Sequence, residues 1–299
     1  MKIFYSEKYQ LPLPAGHRFP IEKYRMLRDY LVSNQIIKSD MIFESPLASI
    51  DELLFGHTLG YIEQMRDGLV PEDIIKRIGF PWSFELYERS CATVGGAISA
   101  ARAALKDGIS GNLAGGTHHS HADRGEGFCV FNDIAVAARL LLSEKLAQRI
   151  AIIDLDVHQG NGNSSILAND KEVFILSLHG EKNYPYKKIP STLDIGLENG
   201  TEDEEYLSKL SSALAAVLDF NPDFIFYQMG VDPLKEDVLG NLNLTHSGLM
   251  ERDRMVLSAA HEREIPISLA LGGGYAKPIE LSVQAYANTY RVVSELWKF

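Results

Sequence analysis

Residues 150–158, IAIIDLDVH, decide the fold class because they join an apolar run to three chemistry-capable side chains. A nearly continuous apolar run is typical of a strand covered on both faces, as in a parallel sheet between two layers of helices. The polar residues follow at the carboxyl end of that run. The stretch therefore predicts a buried parallel strand with a polar site at its carboxyl end.

The rest of the chain alternates similar apolar runs with helical patterns. The predicted strands are 2–6, 150–156, 173–179, 224–230 and 265–274, and the predicted helices are 84–106, 132–147, 203–219 and 247–263. Such alternation predicts an α/β fold in which right-handed crossovers place helices on both faces of a parallel sheet. Residues 180–202 show no clear period, so we expect a long surface loop there. No linker divides the chain, and we expect one domain over residues 1–299.

Composition excludes several classes of protein. The formal charge is 29 − 40 = −11, which disfavours nonspecific binding to nucleic acid or to an anionic membrane. The two cysteines, Cys91 and Cys129, provide neither a disulfide framework nor a thiolate metal site, and we expect buried free thiols. We find neither a secretory signal nor a membrane-spanning apolar stretch, and we expect a cytoplasmic protein.

Polar side chains follow four of the predicted strands at their carboxyl ends. These residues are His158, His179, Asp232 and Tyr275. Ligands of parallel α/β sheets gather at those ends, so we expect the four segments to meet at one rim. Strand ends are also simply where loops begin, and this alternative explains any one of the four residues better than all of them together.

The motif D-x-D-x-H predicts a metal site. Asp156 and His158 share one face of an extended chain, together with Asp154. Carboxylate and imidazole ligands without thiolate suit Zn²⁺ or another divalent first-row ion. A third ligand is required, and Asp232 is the candidate. Three protein ligands leave one position open, which is the arrangement of catalytic rather than structural sites.

Residues 115–128, GGTHHSHADRGEGF, place three of the nine histidines within four positions. On a strand or helix the adjacent side chains of His118 and His119 would diverge. A glycine-rich loop escapes that limit, because glycine tolerates backbone angles that turn both rings toward one point. An exposed polar loop is the alternative explanation of the pair.

Together these motifs resemble the histone deacetylase family, in the broad sense that includes bacterial deacetylases and acetylpolyamine amidohydrolases. The segments that carry the resemblance are 17–31, 57–62, 115–138, 153–162, 230–245 and 271–275. The stretches DRGEGFCVFND and HQGNG are most similar to those of bacterial members and class IV deacetylases. The resemblance implies a single-domain, arginase-like α/β fold around an eight-stranded, mostly parallel sheet.

The resemblance also implies a role for individual residues. The implied zinc ligands are Asp156, His158 and Asp232; the catalytic residues are His118, His119, Tyr275, Asp154 and Asn161; the substrate-binding residues are Gly127, Phe128 and Tyr184; and the K⁺ ligands are Asp154, the carbonyls of Asp156 and His158, Ser177 and Leu178. The family precedent leaves open whether Fe²⁺ replaces Zn²⁺.

The resemblance implies different hydrogen-bond partners for His118 and His119. By the same resemblance His118 pairs with Asp154, whereas His119 faces Asn161, where other family members carry a second aspartate. A carboxylate partner favours an imidazolium far more than a neutral amide does. We therefore hypothesise that His118 stays protonated and that His119 acts first as a base and then as an acid. Tyr275 is the expected hydrogen-bond donor to the substrate carbonyl.

The implied reaction is zinc-dependent removal of an acetyl or longer acyl group from the Nε amine of a lysine in a protein or peptide. Phe128 and Tyr184 are the expected walls of a narrow channel, with core packing and an exposed loop aromatic as their respective alternatives. A small-molecule deacetylase acting on acetylated polyamines or related amides uses the same residues and stays open. A manganese ureohydrolase or a non-enzymatic binding module has less support, and the sequence leaves acyl length and oligomeric state undetermined.

Overall fold

Eight strands form the single sheet of this computed structural model, which describes residues 1–6, 8–9 and 11–298. The strands are β1 (Lys2–Tyr5), β2 (Ile42–Glu44), β3 (Ile109–Asn112), β4 (Ile150–Asp154), β5 (Val173–Gly180), β6 (Leu193–Leu197), β7 (Phe224–Gln228) and β8 (Ile267–Ala270). They are arranged in the order β2-β1-β3-β8-β7-β4-β5-β6. Every neighbouring pair is parallel, so the sheet is entirely rather than mostly parallel.

Helices cover both faces of the sheet. They are α1 (Lys23–Ser33), α2 (Ile50–Leu53), α3 (Leu59–Asp67), α4 (Glu72–Ile78), α5 (Phe84–Asp107), α6 (Asp133–Ser143), α7 (Asn161–Leu167), α8 (Asp203–Asp219), α9 (His246–Glu262) and α10 (Glu280–Trp297). All residues of β3, β4, β7 and β8 are buried, which requires cover on both faces. The predicted single-domain α/β architecture is confirmed.

The expectation of a continuous loop over 180–202 is wrong at its carboxyl-terminal end. Leu193–Leu197 forms β6, which pairs with β5 at the edge of the sheet. Hydrophobic Leu193, Ile195 and Leu197 alternate with Asp194 and Gly196, the period of two expected for a half-exposed edge strand. The weak hydrophobicity of this short strand concealed the alternation.

The four central strands β3, β8, β7 and β4 position the functional site. Because they are adjacent and parallel, the loops that follow them lie side by side at one rim. Cys91 and Cys129 are buried free thiols, as predicted. No helix in the described part of the chain has the length and apolar character needed to cross a membrane.

Candidate metal and active site

Asp156, His158 and Asp232 form a cluster of possible metal ligands. The first two lie in the loop after β4 and the third in the loop after β7. Their ligand atoms lie within 4.8 Å of one another. His158 Nδ1 is 3.1 Å from Asp156 Oδ1 and 3.0 Å from Asp232 Oδ2. These separations are close to the ~3.3 Å edge of a tetrahedron whose metal–ligand bonds are about 2.0–2.1 Å.

The electrostatics of the cluster also suit a cation. Burial lowers the pKa of His158, but hydrogen bonds to Asp156 and Asp232 outweigh it and raise that pKa to about 10. Burial, followed by repulsion from Asp156, raises the pKa of Asp232 to about 7. The two carboxylates therefore create a strongly negative potential at the histidine nitrogen, which a divalent ion would neutralise.

Backbone groups orient the carboxylates of the cluster. The Gly273 N–H donates to Asp156 Oδ2 at 2.6 Å, and the Val157 N–H donates to Asp232 Oδ1 at 2.8 Å. A Cβ atom at position 273 would lie 1.9 Å from Asp232 Oδ2, so only glycine allows this approach. Such outer contacts fix the direction in which each ligand oxygen points.

His118 and His119 lie in the loop after β3 and are 3% and 5% exposed. His118 Nδ1 lies 2.8 Å from Asp154 Oδ2, and His119 Nδ1 lies 2.7 Å from Asn161 Oδ1. The two ring centroids are 4.1 Å apart. His118 Nε2 is 3.8 Å from Asp156 Oδ1, which places the tandem histidines beside the ligand cluster.

The backbone of this loop is fixed from two sides. The Asp133 carboxylate accepts hydrogen bonds from the Gly116 and Thr117 N–H groups at 3.0 and 2.8 Å. The His118 carbonyl accepts from the Gly162 N–H at 2.8 Å, at the start of α7. A Cβ atom at position 162 would lie 2.5 Å from that carbonyl oxygen, which explains the second glycine of HQGNG.

The pKa values of the two histidines move in opposite directions. Burial opposes charge on His118, but the carboxylates of Asp154 and Asp156 outweigh it and raise its pKa. Burial, and then the positive charges of His118 and His158, lower the pKa of His119 well below its usual value. The Asn161 oxygen offsets that decrease only in part. The arrangement favours a charged His118 beside a neutral His119.

Tyr275 contributes a neutral donor from the loop after β8. It lines a cavity of about 620 Å³ together with His118, His119, Asp156 and His158. Its backbone N–H donates to Asp237 Oδ2 at 2.6 Å, which fixes the turn. Burial raises the pKa of Tyr275 well above its usual value, so its phenol stays protonated.

Two aromatic rings flank the same cavity. Phe128 has a φ of +64° and follows Gly127, whose φ is +58°. The Tyr184 ring stands at 83° to that of His119, with 5.0 Å between the centroids. All three predicted substrate-binding residues, Gly127, Phe128 and Tyr184, line the cavity, whereas Asp154, Asn161 and Asp232 are buried behind it.

Two of the predicted K⁺ ligands are neighbours across β4 and β5. Asp154 of β4 is paired with Ser177 of β5, and Leu178, the residue after Ser177, is fully buried. Ser177 Oγ lies 2.9 Å from His179 Nδ1. The sheet thus brings a carboxylate and a hydroxyl together beneath the tandem histidines, and coordination of K⁺ by them stays a prediction.

Sequence reasoning missed three residues at this site. The fully buried Lys23 Nζ lies 3.4 and 3.3 Å from the carbonyls of Gly272 and Gly274, next to Tyr275. The Arg18 guanidinium lies 4.9 Å above the Phe128 ring. Glu126 accepts a hydrogen bond from Asn161 Nδ2 at 2.6 Å. The only available signal for Glu126 was a charged residue between two glycines, and that pattern does not identify its partner.

Comparison with known proteins finds relatives along nearly the whole chain. The histone deacetylase domain matches residues 17–290. An uncharacterized protein of Picosynechococcus is 38% identical over 99% of each chain. Histone deacetylase 2 of Arabidopsis thaliana is 33% identical over 93% of this chain and 75% of its own. The crystal structure of an HDAC homolog from Aquifex aeolicus gives a TM-score of 0.83 at 26% identity, covering 99% of this chain and 84% of that one.

Proposed function

This chain belongs to the histone deacetylase family and is a deacetylase hydrolase, and we propose that its substrate is a protein or peptide carrying an Nε-acyl-lysine. The observation that carries the proposal is one cavity that Asp156 and His158 of the ligand cluster line together with His119, Tyr275 and the aromatic rings of Phe128 and Tyr184. An extended side chain that ends in an amide fits such a channel.

We propose Zn²⁺ as the ion held by Asp156, His158 and Asp232, and K⁺ beside Asp154 and Ser177. The donor set of two carboxylates and one imidazole fits zinc, and it also fits Fe²⁺. A bound divalent ion of this kind polarises a carbonyl and lowers the pKa of a water ligand to about 7.

The protein groups supply the proton transfers. His119, neutral and buried, accepts a proton from the attacking water through Nε2 and returns one to the departing amine. His118, held as an imidazolium by Asp154, stabilises negative charge nearby. The Tyr275 phenol donates a hydrogen bond where negative charge develops on the carbonyl oxygen.

The channel fits a lysine side chain in particular. Four methylene groups buried between Phe128 and Tyr184 contribute about 3 kcal/mol at roughly 0.8 kcal/mol each. The charged side chains that line the cavity near its mouth are basic: Arg18, Arg77 and Lys182. Among the described residues Arg18 has no carboxylate partner. This basic mouth favours a peptide with acidic residues beside the acyl-lysine and disfavours a polycationic acetylpolyamine.

The test is a substrate comparison on metal-loaded protein, using acetyl-lysine peptides with acidic or basic flanks and a monoacetylated polyamine. We expect the highest kcat/KM for the acidic peptide and loss of turnover with a hydroxamate chelator. Arg18→Glu should lower the preference for acidic flanks several-fold, whereas Arg25→Glu, an exposed change outside the cavity, should not. A higher kcat/KM for the polyamine would favour the small-molecule alternative and overturn the proposed substrate.

A further inference from the structure

Glu126 lies on the side of Asn161 that faces away from His119. Its side chain is only 12% exposed, and Oε1 is 3.4 Å from His121 Nε2. The same oxygen accepts a hydrogen bond from Asn161 Nδ2 at 2.6 Å. Tyr184 also interacts with this carboxylate and helps to lower its pKa. A single largely buried acidic group therefore links the loop of the tandem histidines to the start of α7 and interacts with one wall of the channel.

The hydrogen-bonding capacity of these groups leaves one arrangement. An ionised carboxylate only accepts hydrogen bonds. Burial opposes ionisation of Glu126, but interactions with His121, Asn161 and Tyr184 lower its pKa to about 2. The Asn161 NH₂ group must therefore face Glu126, and its oxygen must face His119. Since that oxygen only accepts, His119 carries its proton on Nδ1 and keeps a lone pair on Nε2.

We propose that Glu126 is a positioning residue that fixes the orientation of the Asn161 amide and, through it, the His119 tautomer that accepts a proton at Nε2. The inference rests on the proposed role of His119. An aspartate at position 161 would need no such partner, because both of its oxygens accept. An asparagine without Glu126 can rotate by half a turn, present its NH₂ group to His119 and stabilise the tautomer whose Nε2 is already protonated.

The test is a double-mutant cycle with Glu126→Ala, Asn161→Asp and the double variant. Glu126→Ala should lower kcat about 10–100-fold, the usual effect of removing an outer hydrogen-bond partner, with less change in KM. Asn161→Asp alone should also lose activity, since it places two carboxylates in contact. The double variant should be more active than either single variant, because the introduced carboxylate holds Nδ1–H without help.

Spectroscopy supplies a readout that does not depend on turnover. ¹⁵N NMR of the metal-loaded protein should show His119 protonated at Nδ1 in the wild type and the double variant, and a population protonated at Nε2 in Glu126→Ala. Asp123→Ala removes an exposed carboxylate from the same loop and should leave kcat and the histidine signals unchanged. Metal content and thermal unfolding of each variant identify any loss of ion or fold.

The outcomes separate this inference from the proposed function. If the effects of the two single variants simply multiply in the double variant, or if Glu126→Ala leaves the His119 tautomer unchanged, Glu126 does not position Asn161. If the wild type deacylates no lysine peptide, the proposed substrate fails, while the NMR comparison still decides the role of Glu126.

Discussion

The two sides of the active site place equally buried, adjacent histidines beside different partners. On one side the Asp154 carboxylate contacts His118 directly at 2.8 Å. On the other side His119 contacts the amide oxygen of Asn161, and the amide nitrogen of Asn161 contacts the Glu126 carboxylate. The pKa of His118 is raised and that of His119 is lowered, although both side chains are almost inaccessible. Burial lowers the pKa of both rings, and only beside His118 do carboxylates outweigh it.

The difference shows how one loop holds two neighbouring histidines whose pKa values move in opposite directions. Two imidazoles with centroids 4.1 Å apart cannot both carry a charge without strong repulsion. The carboxylate of Asp154 beside His118 raises the pKa of that ring and so favours its protonation. The amide of Asn161 beside His119 fixes the direction of that ring but leaves it neutral. Family members with a second aspartate must balance these charges differently.

The largest difference should appear when each of the two histidine rings is removed in turn. His119→Ala should lower kcat by about 10²–10⁴-fold, the usual contribution of general acid–base catalysis, while the metal stays bound. His118→Ala should cost only roughly 10-fold, or about 1.4 kcal/mol. Single-turnover rates on protein of matched metal content measure both. The opposite ranking would show that His118 is the base.

The Tyr275→Phe variant is a reference for the two histidine variants, because the phenol that it removes is uncharged. Loss of the phenol should lower kcat by about 10²–10³-fold, as expected for an oxyanion donor. Because burial keeps Tyr275 neutral, the loss should be constant across the pH range, whereas the histidine variants should change the shape of the profile. A pH-dependent loss in this variant would indicate that Tyr275 itself ionises.

Asp154→Asn gives His118 the same kind of partner that His119 has. The carboxylate raises the pKa of His118, so its removal should lower that pKa and move the alkaline limb of kcat to lower pH. We expect roughly a 10-fold loss at alkaline pH and a smaller loss as the pH falls, because protonation of the ring is then restored. An unchanged alkaline limb would mean that His118 is not the group that titrates there.

Much of this architecture was predictable because it depends on local pattern. Continuous apolar runs identified β1, β4, β5, β7 and β8, whereas the short strands β2 and β3 were not predicted. The rule that polar groups gather at the carboxyl ends of parallel strands placed Asp232 and Tyr275 near His158. The edge strand β6 was missed because half of its residues face solvent and its apolar side chains are few.

The contacts that escaped prediction join residues far apart in sequence. Glu126 and Asn161 are 35 positions apart, and Lys23 reaches Gly274 across 251 positions. No periodicity encodes such a pair, since the two members lie in different segments and meet only when the chain is folded. Lys23 is only 2% exposed, although lysine is rarely buried in proteins.

The smallest effect concerns the stability that Glu126 provides. The pKa of this group is lowered from 4.5 to about 2 in the folded protein. A carboxyl with a depressed pKa stabilises the fold fully above its unfolded pKa, and the contribution disappears as the pH falls through the folded value. Glu126→Gln should therefore lower the melting temperature by about 2–4 °C near pH 6 and by progressively less toward pH 2.

The wild type and the Glu126→Gln variant are both treated with a chelator before melting. Metal release then does not contribute to the difference between their melting temperatures. Asp123→Asn provides the matched control, since this exposed carboxyl of the same loop should give a small difference at every pH. The convergence at low pH is the decisive feature, because it follows from titration of one group and not from a general loss of packing. A difference that persists unchanged down to pH 2 would show that Glu126 acts through its shape, and the charge beyond Asn161 would then play no part in stabilising the His119 side.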